Sequence, residues 1–188
     1  MNYKNKHLIE QYKILHNDPK KPLYGNGYNS NIIDLNHLNK FLQTHSSKTI
    51  LDYGCGKGDL IKYLNESYNC YGYDPAVDEY NNEHKDKNFD TIVCLDVLEH
   101  IPENELKYLF DHIKSYNAKT LYFNVSTRYA KTLLPDGRNC HETVKPQKWW
   151  DDLFNESFSS KKVIVEDQSY RDKRNKLIGQ IRVLIYEN

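Results

Sequence analysis

The 188-residue chain has no excess of charge of either sign, because 26 lysines and arginines face 26 aspartates and glutamates. Such a balance supplies no overall positive field to hold a phosphate backbone, so nucleic acid is not favoured as a partner and a small molecule is. Cysteine is scarce, and Cys55, Cys70, Cys94 and Cys140 are scattered with no Cys-x-x-Cys pair. That usage suits reduced thiols in a cytoplasm. Long apolar runs are missing too. The N-terminal MNYKNKHLIEQYK has no uninterrupted apolar core of signal-peptide length, and no stretch approaches the roughly 20 apolar residues of a membrane span. The expectation is a cytoplasmic protein with no membrane partner, and nothing in the sequence fixes its oligomeric state.

Aromatic residues are plentiful: 16 tyrosines in a chain that is 38% hydrophobic point to a core and cleft built from rings with polar tips. The length is that of one domain, taken as 1–188, with residues 1–45 as N-terminal helices and a lid. Leu8, Ile9, Tyr12 and Leu15 recur at helical spacing, and Ile32, Ile33, Leu35, Leu38, Phe41 and Leu42 mark a second helix. Strands are expected at 49–53, 70–73, 91–95 and 120–126. A helix carries Trp149 and Trp150, and KKVIVED and IGQIRVLIYE form a C-terminal antiparallel pair. Helices alternating with strands predict an α/β fold, a Rossmann-like and mostly parallel sheet with helices on both faces.

The segment LDYGCGKGDL ends the first strand with an acidic residue and three alternating glycines before a helix. At that turn an open α/β sheet holds nucleotide-like ligands, because glycine lets backbone come close and adopt unusual φ. The spacing is GxGxG followed by Asp59, which departs from the GxGxxG of dinucleotide-binding oxidoreductases.

With YGYDP after the second strand and FDTIVCLDVLEHIP after that, the chain resembles the class I S-adenosylmethionine-dependent methyltransferases over nearly its whole length. The resemblance implies S-adenosyl-L-methionine as methyl donor and S-adenosyl-L-homocysteine as product. It places the backbone of Gly54, Gly56 and Gly58 against the donor, Asp74 on the ribose hydroxyls and Asp52 near the amino group. Cys55, Pro75, Ala76, Leu95 and Asp96 complete the expected cofactor contacts. Only about fifteen residues separate Asp74 from Phe89, too few for a further helix and strand with their connections, so the third-strand region of the family is expected to be shortened. Ala76 and Val77 then serve the adenine end.

If the chain turns helical straight after Leu95, Asp96, Glu99 and His100 stand at i, i+3 and i+4 and share a face. The loop after the 120–126 strand, with PDGRNCHET, can deliver His141 to the same rim. The pattern resembles the metal-dependent O-methyltransferases of ubiquinone synthesis and of small-RNA ends, in which such residues hold a divalent ion. It implies Mg²⁺ or Mn²⁺ on Asp96, Glu99, His100 and His141, a mixed O/N set that does not suit structural zinc. Two other readings stand beside it: His141, His100 and Glu99 as metal-free catalytic groups with His141 as general base, and a purely structural segment.

Tyr24, Asn26 and Tyr28 in YGNGYNS sit where a lid would cover cofactor and substrate, and Arg128 and Arg138 could clamp an anionic group on the acceptor. The function expected is methyl transfer to an oxygen of a small-molecule or carbohydrate-like acceptor. Its rivals are methylation of a terminal ribose on RNA and a non-catalytic cofactor-binding subunit.

Overall fold

Short β-branched and aromatic runs bounded by Gly, Asn and Asp become the strands of a six-stranded sheet. The computed structural model describes residues 5–22, 24–25 and 34–187. The helices are α1 (Lys6–His16), α2 (Leu35–Thr44), α3 (Asp59–Leu64), α4 (Leu106–Lys114) and α5 (Gln147–Ser157). The strands are β1 (Thr49–Tyr53), β2 (Asn69–Tyr73), β3 (Thr91–Leu95), β4 (Thr120–Ser126), β5 (Lys162–Asp167), β6 (Tyr170–Arg171), β7 (Leu177–Ile178) and β8 (Gln180–Tyr186).

The sheet order is β2-β1-β3-β4-β8-β5, with β1 to β4 parallel and β8 antiparallel to both β4 and β5. The expected C-terminal pair therefore forms inside the main sheet, and its polar connection makes a separate β6–β7 hairpin. Because β1 connects outward to β2 while β3 returns on its other side, the order reverses between β1 and β3, where an open α/β sheet leaves a crevice. The shortened region is borne out: β2 is an edge strand, and residues 74–90 hold only a single 3₁₀ turn at Asp78–Tyr80.

Alternation along the strands divides the core. Leu51, Ile92, Cys94, Leu121 and Phe123 face α4 and α5, while Ile50, Val93 and Tyr122 face α2 and α3. The rings of Phe110, Phe123, Phe154 and Phe158 fill the first side, with the Phe154 centroid 5.1 Å from Phe123 and 5.3 Å from Phe110. Helix starts are fixed by side chains: Asn5 accepts from the Leu8 amide and Asp34 from the His37 amide, both at 3.0 Å. Helix α1 packs apart from the sheet. Leu8 and Leu15 bury against Leu134 and Cys140 of the long loop after β4, which hangs α1 over the rim where β1, β3 and β4 end. Ile32, Ile33, Asn26 and Tyr28 lie outside the described residues. Among the described residues, no helix is long and apolar enough to cross a membrane.

Phe154 is fully buried among three other phenylalanines, so Phe154→Ala is expected to cost about 3–5 kcal/mol and Phe154→Leu clearly less. Urea denaturation measures both, and an Ala variant within 1 kcal/mol of wild type, roughly a surface effect, would show that the cluster does not carry the sheet-to-helix contact.

Candidate active site

The turn after β1 is built on left-handed backbone. Gly54 and Gly56 have φ of 78° and 53°, and a Cβ on Gly54 would run into the Val97 side chain while one on Gly56 would overlap the Gly25 carbonyl oxygen. Asp74, at the end of β2, holds the turn: one carboxylate oxygen accepts the Gly56 amide at 2.9 Å and the other the Ala76 amide at 2.8 Å. Gly54, Gly56, Asp74, Pro75, Ala76, Leu95 and Asp96 all line one cavity of about 560 Å³. Asp52, Cys55 and Gly58 do not line it. Side chains alternate along β1, so Asp52 points to the α2/α3 side, where burial, reinforced by the Asp74 charge, pushes its carboxyl up to about 8. The Cys55 thiol turns into the same core, and burial drives it well above its ordinary range.

Beyond β3 the helical face expected for Asp96, Glu99 and His100 does not form. Asp96 takes a left-handed φ of 53° with its amide on the Asn124 carbonyl, Val97 breaks the path, and only Leu98–His100 coil, as a 3₁₀ turn. The tie to β4 holds Asp96 at the strand end, in a conformation that aspartate tolerates. Asp96 is accordingly absent from the cluster that does form: Glu99, His100 and His141 each offer a ligand atom, all within 4.8 Å of one another.

Each member of that cluster is fixed from behind. Glu99 is 0% exposed; one oxygen accepts the Ser126 amide at 2.9 Å and the other, Oε2, is buried with no partner among the described residues. The loop after β4 docks on the 3₁₀ turn through the Thr143 amide, which donates to the Glu99 carbonyl at 2.9 Å. That contact delivers His141 to the rim, as the loop's position in the sequence predicted. The His100 and His141 rings meet edge to face at 4.8 Å. A carbonyl only accepts, so Nδ1 of His141 donates to the Arg128 carbonyl and Nδ1 of His100 to the Cys140 carbonyl at 2.9 Å. Both rings therefore carry their lone pair on Nε2.

Burial sets the charge states of the cluster. Burial raises the Glu99 carboxyl, and the charge of Asp96 raises it further; burial raises Asp96 as well, with the Arg128 charge opposing. Burial, then the neighbouring His141, takes His100 down to about 3, and burial lowers His141 too. Two neutral imidazoles and a carboxylate with an orphaned oxygen make a donor set that fits a divalent ion.

The lid and clamp residues divide. Tyr24 lines the cavity, its hydroxyl 3.8 Å from the Cys140 sulfur. Arg128 lines it with Nε buried and unpartnered. Arg138 does not line it, because its guanidinium is spent on Asp136 at 2.8 Å and Glu142 at 2.6 Å. Trp150 is a core residue, whereas Trp149 packs beside it outside the cavity lining. Sequence reasoning missed the part of α1. Tyr12, read there as one position of an apolar stripe, lines the cavity and donates its hydroxyl to the Cys140 carbonyl at 2.7 Å.

This Rossmann-like crevice, with glycine turn, acidic β2 end and polar rim, defines an α/β methyltransferase. The Methyltransferase domain family matches residues 31–167, and the chain belongs to that family as an S-adenosylmethionine-dependent methyltransferase. Among solved structures, the methyltransferase domain of a bacterial Hen1 is similar with a TM-score of 0.61 and 16% identity, covering 84% of this chain and 100% of that one. DhpI bound to S-adenosylhomocysteine gives 0.63 at 11% identity, covering 96% and 97%. An S-adenosylmethionine-dependent methyltransferase from Anabaena variabilis gives 0.66 at 12% identity, covering 97% and 94%. A search of curated protein sequences finds no match.

Gly56→Ala places a Cβ on the Gly25 carbonyl and forces alanine into left-handed backbone, a strain of about 1–2 kcal/mol. The variant is expected to melt a few degrees lower and to bind S-adenosylhomocysteine at least tenfold more weakly by calorimetry; wild-type affinity would remove this turn from the cofactor site.

Proposed function

We propose that the protein transfers the methyl group of S-adenosylmethionine to a hydroxyl oxygen of a small-molecule or carbohydrate-like acceptor, with a divalent ion held by Glu99, His100 and His141. The observation that carries this reading is the buried, unpartnered Oε2 of Glu99 beside two imidazoles whose Nδ1 atoms are tied to backbone carbonyls. A polar group left so costs about 1–3 kcal/mol, and a ligand that satisfies it explains its retention.

In this reading the backbone of Gly54 and Gly56, with Asp74, holds the donor, and Pro75 and Ala76 serve its adenine end in place of the shortened strand region. Asp52, behind the turn and outside the cavity lining, would reach the donor's amino group only indirectly. Bound Mg²⁺ or Mn²⁺ would supply Lewis acidity, lowering the pKa of the acceptor hydroxyl and fixing its oxygen. Leu95 and Asp96, at the end of β3, line the same cavity as the cluster and would help hold that oxygen in line with the methyl group. Arg128, which lines the cavity, orients an anionic substituent of the acceptor, and Tyr24 closes over it.

A specific observation favours terminal ribose methylation on RNA as the second reading. The β6–β7 hairpin, whose Tyr170 and Ile178 line the cavity, carries Arg171, Lys173, Arg174 and Lys176 against the lone acid Asp172. Such a local cationic edge can track a backbone even on a chain of zero net charge. Anisotropy of a labelled single-stranded RNA at two salt concentrations decides between them: affinity that falls steeply with salt supports RNA, and no binding leaves the small acceptor.

Two outcomes test the metal. Excess EDTA is expected to abolish turnover, with Mn²⁺ restoring it, while calorimetry shows S-adenosylhomocysteine still binding; equal rates with and without chelator would reject the ion. His141→Ala is expected to lose at least ~10²-fold in turnover and to regain part of it at high Mn²⁺. A loss that no metal concentration repairs makes His141 a general base, and full activity makes it scaffold.

A further inference from the structure

The cluster at the rim is finished by a residue from the far end of the chain. The Tyr12 hydroxyl donates to the Cys140 carbonyl at 2.7 Å and lies 3.1 Å from Nδ1 of His100, which itself donates to the same carbonyl at 2.9 Å. A second acceptor, the His100 carbonyl, stands 3.3 Å from the hydroxyl. The phenol proton goes to the nearest carbonyl, so the oxygen lone pairs face the imidazole N–H. The three groups close a ring in which every donor has an acceptor. The two aromatic rings meet at 88° with centroids 5.4 Å apart, which adds an edge-to-face contact to the hydrogen bonds.

We propose that Tyr12 is a positioning residue for the metal cluster: its hydroxyl, anchored on Cys140, keeps the proton of His100 on Nδ1 and the ring turned so that Nε2 faces Glu99 and His141. The inference rests on the metal-assisted reading above and adds to it that α1 is part of the site. The helix is a separate element hung on the loop after β4 through Leu8, Leu15, Leu134 and Cys140. The residue whose carbonyl fixes His100 thus also sits in the contact that seats α1. Seating the helix and setting the imidazole are one event.

Tyr12→Phe keeps the ring and its packing and removes only the hydroxyl. Direct titration with Mn²⁺, followed by paramagnetic resonance of the free ion in the presence of S-adenosylhomocysteine, is expected to show affinity weakened about 10–100-fold, the usual effect of losing a partner behind a metal-bound histidine. Calorimetry is expected to find S-adenosylhomocysteine affinity unchanged. ¹⁵N NMR of the metal-free protein, taken well below both melting temperatures, is expected to show His100 purely as the Nδ1–H tautomer in wild type and as a mixture in the variant. A variant with Mn²⁺ affinity within twofold of wild type and an unchanged His100 spectrum overturns the proposal, as does one whose only change is a lower melting temperature. Wild-type protein that binds S-adenosylhomocysteine but no Mn²⁺ overturns the metal reading instead, and the NMR comparison then still decides whether Tyr12 sets the ring.

Discussion

A carboxylate taken wholly out of water is the constraint around which the rim is organised. Glu99 is given one backbone amide, that of Ser126, and its second oxygen is left open. An isolated buried charge of this kind costs several kcal/mol unless a proton or a cation accompanies it. In the metal-free protein burial and the charge of Asp96 push Glu99 toward the protonated form. The same neighbourhood keeps His100 and His141 neutral. All three groups are therefore held in states that a cation would reverse or exploit, and their backbone tethers prevent relaxation by rotation.

Those tethers explain why the long loop after β4 is ordered. Asn139 bridges it internally, accepting from the amides of Ala130 and His141 and donating to the Ala130 carbonyl. Thr143 then docks it on the Leu98–His100 turn through the Glu99 and Ile101 carbonyls. A loop of this length in a compact fold is normally functional or loose, and here its hydrogen bonds converge on two imidazoles.

Much of this was legible in the sequence because it depends on spacing. The glycine turn and the acidic end of β2 follow from counting residues between apolar runs, the same count let the loop after β4 carry His141 to the rim, and the strand missing after Asp74 shows when the count is set against the family pattern. The left-handed Asp96 was not legible, since no periodicity marks a single residue whose amide is claimed by the neighbouring strand. Tyr12 was hidden differently: on a helix a tyrosine at apolar spacing looks like core, and only three-dimensional contact with Cys140 and His100 separates the two roles. Arg138 could have been set aside from sequence, because Asp136 and Glu142 flank it at distances that a loop closes easily.

The two walls of the crevice differ in what they are made of. One wall consists of strand ends and a turn locked by Asp74, elements tied into the sheet by parallel ladders on both edges of β1. The other wall consists of α1, the loop after β4 and the β6–β7 hairpin, none of which belongs to the main sheet. The amide of Lys57 donates to the Gly25 carbonyl at 2.8 Å and its ammonium to the Pro22 carbonyl at 2.9 Å, so the segment after α1 straps the two sides together directly over the glycine turn. Tyr24 and Tyr12 line the same cavity as Glu99, His100 and His141. Helix α1 therefore touches the His100 imidazole directly through Tyr12, while the strand ends of the opposite wall are set by the sheet.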